Sequence, residues 1–380
     1  MARRICRSLI SLSLNNTAFL HKPPISNSLC VLFFSSSTPE KSKSSFPMLD
    51  YLINHQFSPE VALKASLSIP YLKNPENSDS ILSFLKENGF TKSHIEEILK
   101  RKPNLLCSSV DNTIKPKLEI FRDLGFSPDE IADFMAADPW LLQRSLDSRL
   151  APSISVLKTV LGSSDAVCKA LKISGWFLKL DLEKTMMPNI ELLRSCGVSS
   201  SQIINFVYSF PRFFLIKPEG MRELIKRVDE LGVSRVSKMY LYAVRTLSSM
   251  SPETWENKLK LFSSFGLSED QILSVFRRSP HVFAVSETKI KEFGEMLLAR
   301  ENIDASYIFE HPELLIYSVK SRLEPRLAVY EILERKNLLR KKTQLTSLFR
   351  MSPQKFLDNY VLPFSNELGD LPKVLKTRTR

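Results

Sequence analysis

The chain has 380 residues, of which 43% are hydrophobic and 25% charged, and its formal net charge is +12. Five cysteines with no CxxC pair exclude a disulfide framework and a zinc site. Five scattered histidines, with no His-x-x-Glu-His, Gly-rich phosphate loop or Gly-x-Ser-x-Gly elbow, leave no catalytic constellation, so neither an enzyme nor a cofactor is expected.

Residues 1–45 carry Arg3, Arg4, Arg7, Lys22, Lys41 and Lys43 against the single acid Glu40, together with eleven serines. This basic, serine-rich, acid-poor composition predicts an organelle transit peptide, mitochondrial in preference to chloroplast because of the early arginines. The apolar run from Leu29 to Phe34 is far shorter than the roughly 20 residues a spanning helix needs, and no membrane association is expected.

From about residue 50 to 360 the chain is periodic. Gly89 and Pro103, Gly125 and Pro139, Gly197 and Pro211, and Gly266 and Pro280 all share one interval. Six of the ten glycines (89, 125, 162, 197, 232, 266) recur at steps of 34 to 37, and Pro103, Pro139, Gly175 and Pro211 at steps of 36. One structural unit is therefore copied along the chain. In the copy that begins at Gly125, the glycine ends a helix, and Ser127 with Glu130 forms a capping box that opens the next. The new helix points Ile131, Phe134 and Met135 inward, as Ile95, Ile98 and Leu99, Ile203, Phe206 and Val207, and Ile272, Val275 and Phe276 do in other copies. Pro139 ends it, and a short helical turn, Trp140-Leu141-Leu142, follows.

A second proline series (Pro116, Pro152, Pro188, Pro325) marks the first turn of a closing helix. That helix is expected to bury Leu118, Ile120 and Phe121, or Ile154, Val156 and Leu157, or Ile190, Leu192 and Leu193. The fifth copy is degenerate, with Thr246 where proline is expected, and glycines vanish from their places after Pro280. Such units bury their apolar stripes only by stacking. The predicted fold is all-α: a superhelical solenoid of eight or nine repeats of about 35 residues, each of two principal helices and a connector. It occupies residues 46–365, followed by a basic tail, 366–380.

The phrase Gly-(Phe/Val/Leu)-(Ser/Thr)-x-x-x-Ile closing on Pro-x-(Leu/Phe)-(Leu/Phe), as in Gly125-Phe126-Ser127 to Pro139-Trp140-Leu141-Leu142, resembles the mitochondrial transcription termination factor family, mTERF. The resemblance covers nearly the whole chain after residue 50, and the many-copy form is similar to the plant members. It implies a monomeric, non-catalytic array that binds nucleic acid in organelles, with double-stranded DNA favoured over structured RNA, and acts in transcription termination or transcript maturation. Intron splicing or ribosome biogenesis through RNA is the alternative the family offers; a protein-interaction scaffold is the alternative a solenoid offers. No small-molecule substrate is implied.

Charge is uneven. Without residues 1–45 the balance is 47 minus 40, and residues 320–380 carry 14 basic and 6 acidic groups, so residues 46–319 sum to about −1. Phosphate binding then requires segregation of charge onto one face. Basic residues cluster just before the helix-ending proline (Arg101, Lys102, Arg277, Arg278, Arg350), where they also complement the helix dipole. They cluster again in or after the connector (Arg144, Arg149, Lys179, Arg212, Lys217, Lys320, Arg322), where repetition predicts a basic track. Trp140, Trp176, Phe213, Phe214 and Phe283 are expected in the core, as are Cys107, Cys168 and Cys196.

Overall fold

The structure, a computed structural model, describes residues 47–69, 75–298, 305–339, 341 and 343–368. The expected presequence, Pro70 and residues 369–380 of the expected tail lie outside them. Every regular element among the described residues is helical.

The repeat is built as its breakers dictate. Nine opening helices occur among the described residues, beginning with Pro59–Ser68, Lys92–Arg101, Pro128–Ala137, Ser164–Ile173 and Ser200–Ser209. The series continues with Tyr240–Ser248, Glu269–Arg278, Ala305–Glu310 and Leu345–Arg350. Reciprocal capping boxes start four of them, at Thr91 with His94, Ser127 with Glu130, Ser199 with Gln202 and Ser268 with Gln271. A one-turn connector follows most of them: Pro103–Cys107, Trp140–Gln143, Gly175–Lys179, Pro211–Leu215, Pro280–Ala284 and Pro312–Ile316.

Closing helices then run back, as in Lys115–Arg122, Ala151–Leu161, Met186–Ser195, Pro252–Ser264 and Glu324–Arg335. Three of these begin earlier than their proline predicts. A single wide turn with i to i+5 bonding precedes the proline at Val110–Ile114, Leu146–Leu150 and Val319–Leu323, each opened by a serine cap: Ser109, Ser145 or Ser318. The wider turn absorbs the missing proline donor inside a continuous helix. In the degenerate copy, Tyr240–Ser248 passes to Pro252–Ser264 with no connector turn, and Thr246 is buried.

The chain divides into two compact units, one ending at Met221 and one starting at Arg222, with the division inside helix Pro218–Glu230. In each, the predicted stripe is core: Ile95, Ile98, Leu99, Ile131 and Met135 in the first, and Ile272, Val275 and Phe276 in the second, are all but inaccessible. Phe134 is half-buried instead, its ring against Phe121 and Phe126. A Cβ at 175 would come within 3.2 Å of that ring, a tighter contact than most side chains make, at the position where glycine stands in for proline. Ile120 and Leu192 are half-buried rather than core, and Lys117, Ser153 and Asn189 are buried on their helices. Cys168 and Cys196 are buried as expected, but Cys107, at the end of a connector, is exposed.

Positive φ marks the end of a closing helix at Gly89, Gly125, Gly162, Gly197, Gly232 and Gly266. Gln56 (φ 62) and Asn337 (φ 56) adopt the same left-handed conformation at the outer copies. The register therefore persists where glycine is absent.

Candidate nucleic-acid interface

A connector is one helical turn, and it buries only part of itself. Two consecutive residues of it enter the core: Leu105 and Leu106, Leu141 and Leu142, Phe177 and Leu178, Phe213 and Phe214, Val282 and Phe283. The residue just before that pair faces water, giving Asn104, Trp140, Trp176 and Arg212 in four successive copies of the first unit. Trp140 is 56% exposed and Trp176 42%. The expectation of a core position for these two tryptophans is thus corrected, while Phe213, Phe214 and Phe283 are buried as expected. Reading all three connector residues as core overlooked that one turn cannot turn three consecutive side chains the same way.

Cations attend both rings. The Lys102 ammonium, from the last residue before Pro103, lies 3.0 Å from the centre of the Trp140 ring in the next copy. Lys179 and the Arg212 guanidinium lie 4.7 Å and 4.4 Å from the Trp176 ring centre. Lys179 also meets Asp138 at 2.8 Å, which joins this connector to the end of the preceding copy's opening helix.

The other expected contact residues are placed as follows. In the first unit Arg144 is half-buried, with its Nε lacking a hydrogen-bond partner; Arg149 is 4.0 Å from Asp181; and Lys217 is exposed. In the second unit Arg277 donates to the Leu231 carbonyl at 2.8 Å, and Arg278 donates to the Phe309 carbonyl while stacking on the Phe309 ring. Lys320 pairs with Glu292 at 2.9 Å, Arg350 with Glu313, and Arg322 donates to the carbonyls of Phe349, Arg350 and Met351. In the first unit Lys179 and Arg212, with Lys102, thus lie beside two exposed rings; in the second, the expected residues are tied to carbonyls and carboxylates.

A second polar row was not anticipated from the sequence. The carbonyls at the end of a connector, or just after it, have no further turn to bond to, and they accept hydrogen bonds from the closing helix of the preceding copy. Asn77 and Ser78 reach Leu106, Lys117 reaches Leu142, Ser153 reaches Leu180, and Asn189 reaches Phe214 and Ile216. Lys258 reaches Val285 and Lys289 reaches Ile316, and in the last copy Arg326 reaches Leu348, Phe349 and Met351 at the end of the opening helix. Burial pushes the Lys117, Lys258 and Lys289 ammonium groups below the ordinary lysine range. The signal lay in plain view: Lys117, Ser153, Asn189 and Arg326 each directly follow a proline of the second series.

The sequence profile of mTERF matches residues 82–171, 119–231 and 145–357. The chain belongs to the mTERF family. It is also 23% identical over 131 residues to transcription termination factor MTERF8, chloroplastic, of Arabidopsis thaliana. That match covers 34% of this chain and 26% of the relative, so it spans about a quarter of the relative's length. The proline-ended opening helix, the connector and the closing helix described above are thus the mTERF repeat, and mTERF proteins are nucleic-acid-binding regulators of organellar gene expression. Among the described residues, no helix is long and apolar enough to cross a membrane and no His/Cys/Asp/Glu group is arranged to hold a metal ion.

Proposed function

We propose that this mTERF protein binds nucleic acid along its connector edge inside an organelle, and thereby acts on transcription termination or transcript maturation without catalysing a reaction. The observation that carries this reading is the repeated placement of cations at the connectors of the first unit, Lys102, Lys179, Arg212 and Lys217, on a surface that also presents two tryptophan rings. Cations position a phosphate backbone and supply most sequence-independent affinity. Duplex DNA, the ligand the family resemblance favours, meets the cations alone; a polymer with unpaired bases also uses the rings, which supports RNA as the better fit. Mitochondrial targeting is the reading of the presequence, and the chloroplastic relative supports the plastid alternative. The protein is proposed to act as a monomer.

Gel-shift titration of the full chain with duplex DNA and with RNA across a salt series tests the proposal. Affinity for at least one of them is expected to fall steeply as salt rises. Binding that is indifferent to salt would contradict a phosphate-tracking edge. Imaging a fluorescent fusion against mitochondrial and plastid markers distinguishes the two compartments.

A specific observation also favours a protein-binding scaffold. Asp138, Asp181, Glu292 and Glu313 interleave with the expected cations and pair with Lys179, Arg149, Lys320 and Arg350. Failure to bind any nucleic acid, together with saturable capture of a protein partner, would favour that reading.

A further inference from the structure

Two large aromatic side chains at the same register of neighbouring repeats stand in water, although their core neighbours Leu141, Leu142, Phe177 and Leu178 show that the connector can bury apolar groups when it needs to. Packing therefore does not require tryptophan at positions 140 and 176; the other copies carry Asn104 and Arg212 there and keep the same connector. The only other tryptophan, Trp255, is buried in the second unit against Phe276 and Phe283.

We propose that Trp140 and Trp176 form a stacking platform for the unpaired bases of a transcript. This rests on the nucleic-acid reading above and adds to it the residues, the class of ligand and the mode of contact. Charge complementarity identifies the occupant: each ring has an ammonium or guanidinium beside it, and a strand laid along the connectors offers bases to the rings and phosphates to Lys102, Lys179 and Arg212. Relative strength permits the exchange. An exposed cation–π pair is worth only a few-fold in an equilibrium, whereas stacking one base on an aromatic side chain is worth roughly five- to a hundredfold. A cation that leaves the ring for a phosphate keeps a charged partner, so the base gains the ring face at little cost. Duplex DNA stacks its bases internally and must be opened before they can be offered. RNA presents unpaired bases in loops and single strands without that penalty, and this decides for a transcript.

The test uses the full chain and three 20-nucleotide probes: an unstructured RNA, the DNA single strand of the same sequence, and the DNA duplex. The RNA is expected to quench the exposed-tryptophan emission saturably, leaving the emission of Trp255 as an internal reference. Trp140→Ala/Trp176→Ala is expected to remove that quenching and weaken RNA binding tenfold or more, with duplex binding changed less than twofold. Trp140→Phe/Trp176→Phe keeps a ring and is expected to retain most of the RNA affinity. Unchanged RNA affinity in the alanine variant, or an equal loss for the duplex, would overturn the platform while leaving the phosphate-binding edge standing. Tighter binding of the DNA strand than of the RNA would overturn the assignment to a transcript. No binding of any probe by the unaltered chain would overturn the nucleic-acid reading itself.

Discussion

Asn189 is inaccessible to solvent, and its amide donates to the carbonyls of Phe214 at 3.1 Å and Ile216 at 2.7 Å. A connector of one turn cannot satisfy those oxygens itself, and an unsatisfied buried acceptor costs about 1–3 kcal/mol. Asn189→Ala is therefore expected to lower stability by about 2 kcal/mol in urea unfolding; an unchanged midpoint would show that the bonds across the repeat junction are dispensable. Lys117 does the same work with a charge. Because burial lowers its folded pKa below the ordinary 10.5, the unfolded chain holds the proton more tightly over the interval between the two values. Stability contributed by this group is present above 10.5 and is lost as pH falls through the lowered value. Relative to Lys117→Met, the unaltered protein is thus expected to gain stability as pH rises toward 10.5. A flat difference between the two proteins over that range would contradict the sign.

At the scale of the element, the end of the closing helix sets the register. A left-handed conformation costs a side-chain-bearing residue roughly 1–2 kcal/mol relative to glycine, yet Gln56 holds it where inner copies have glycine. Gln56→Gly should raise the unfolding midpoint, with stability higher by about 1 kcal/mol after the added freedom of the unfolded chain is subtracted. Asn337→Gly should change it little, since asparagine tolerates the conformation. A midpoint that fell with Gln56→Gly would show that its side chain is worth more than its backbone costs.

The helices were legible because their punctuation is scarce and strong: Ser127 with Glu130 starts a helix, and Pro139 stops one, by chemistry that acts within a few residues. Residue-level exposure was harder. Whether Trp140 points inward depends on the direction of one side chain in a single turn, and whether Lys117 is a surface lysine depends on a carbonyl 25 residues further along. Neither is encoded in hydrophobic spacing. The same limit applied to the expected cations: Arg322 of the basic track, and Arg277 and Arg278 before the helix-ending proline, are donors to backbone carbonyls.

For the molecule as a whole, net charge is a poor guide to where a polyanion binds. Residues 46–319 nearly balance, so affinity depends on which cations are committed elsewhere. Lys217 is exposed, whereas Lys179 already faces Asp138. Removing one phosphate-binding cation from the edge lowers the slope of log affinity against log salt by about 1. Lys217→Ala is expected to show that full decrement and Lys179→Ala a smaller one, in salt titrations with a nucleic acid that binds; the reverse order would mean that the Asp138 pair opens on binding. The bonds from each closing helix to the copy that follows carry a direction as well. Lys117 precedes Leu142, Asn189 precedes Phe214, and Lys289 precedes Ile316. A nascent polypeptide leaving the ribosome therefore exposes each donor before the acceptor it serves has been synthesised, so that every new coil arrives at a seat already prepared for it and assembly can proceed in the order of translation.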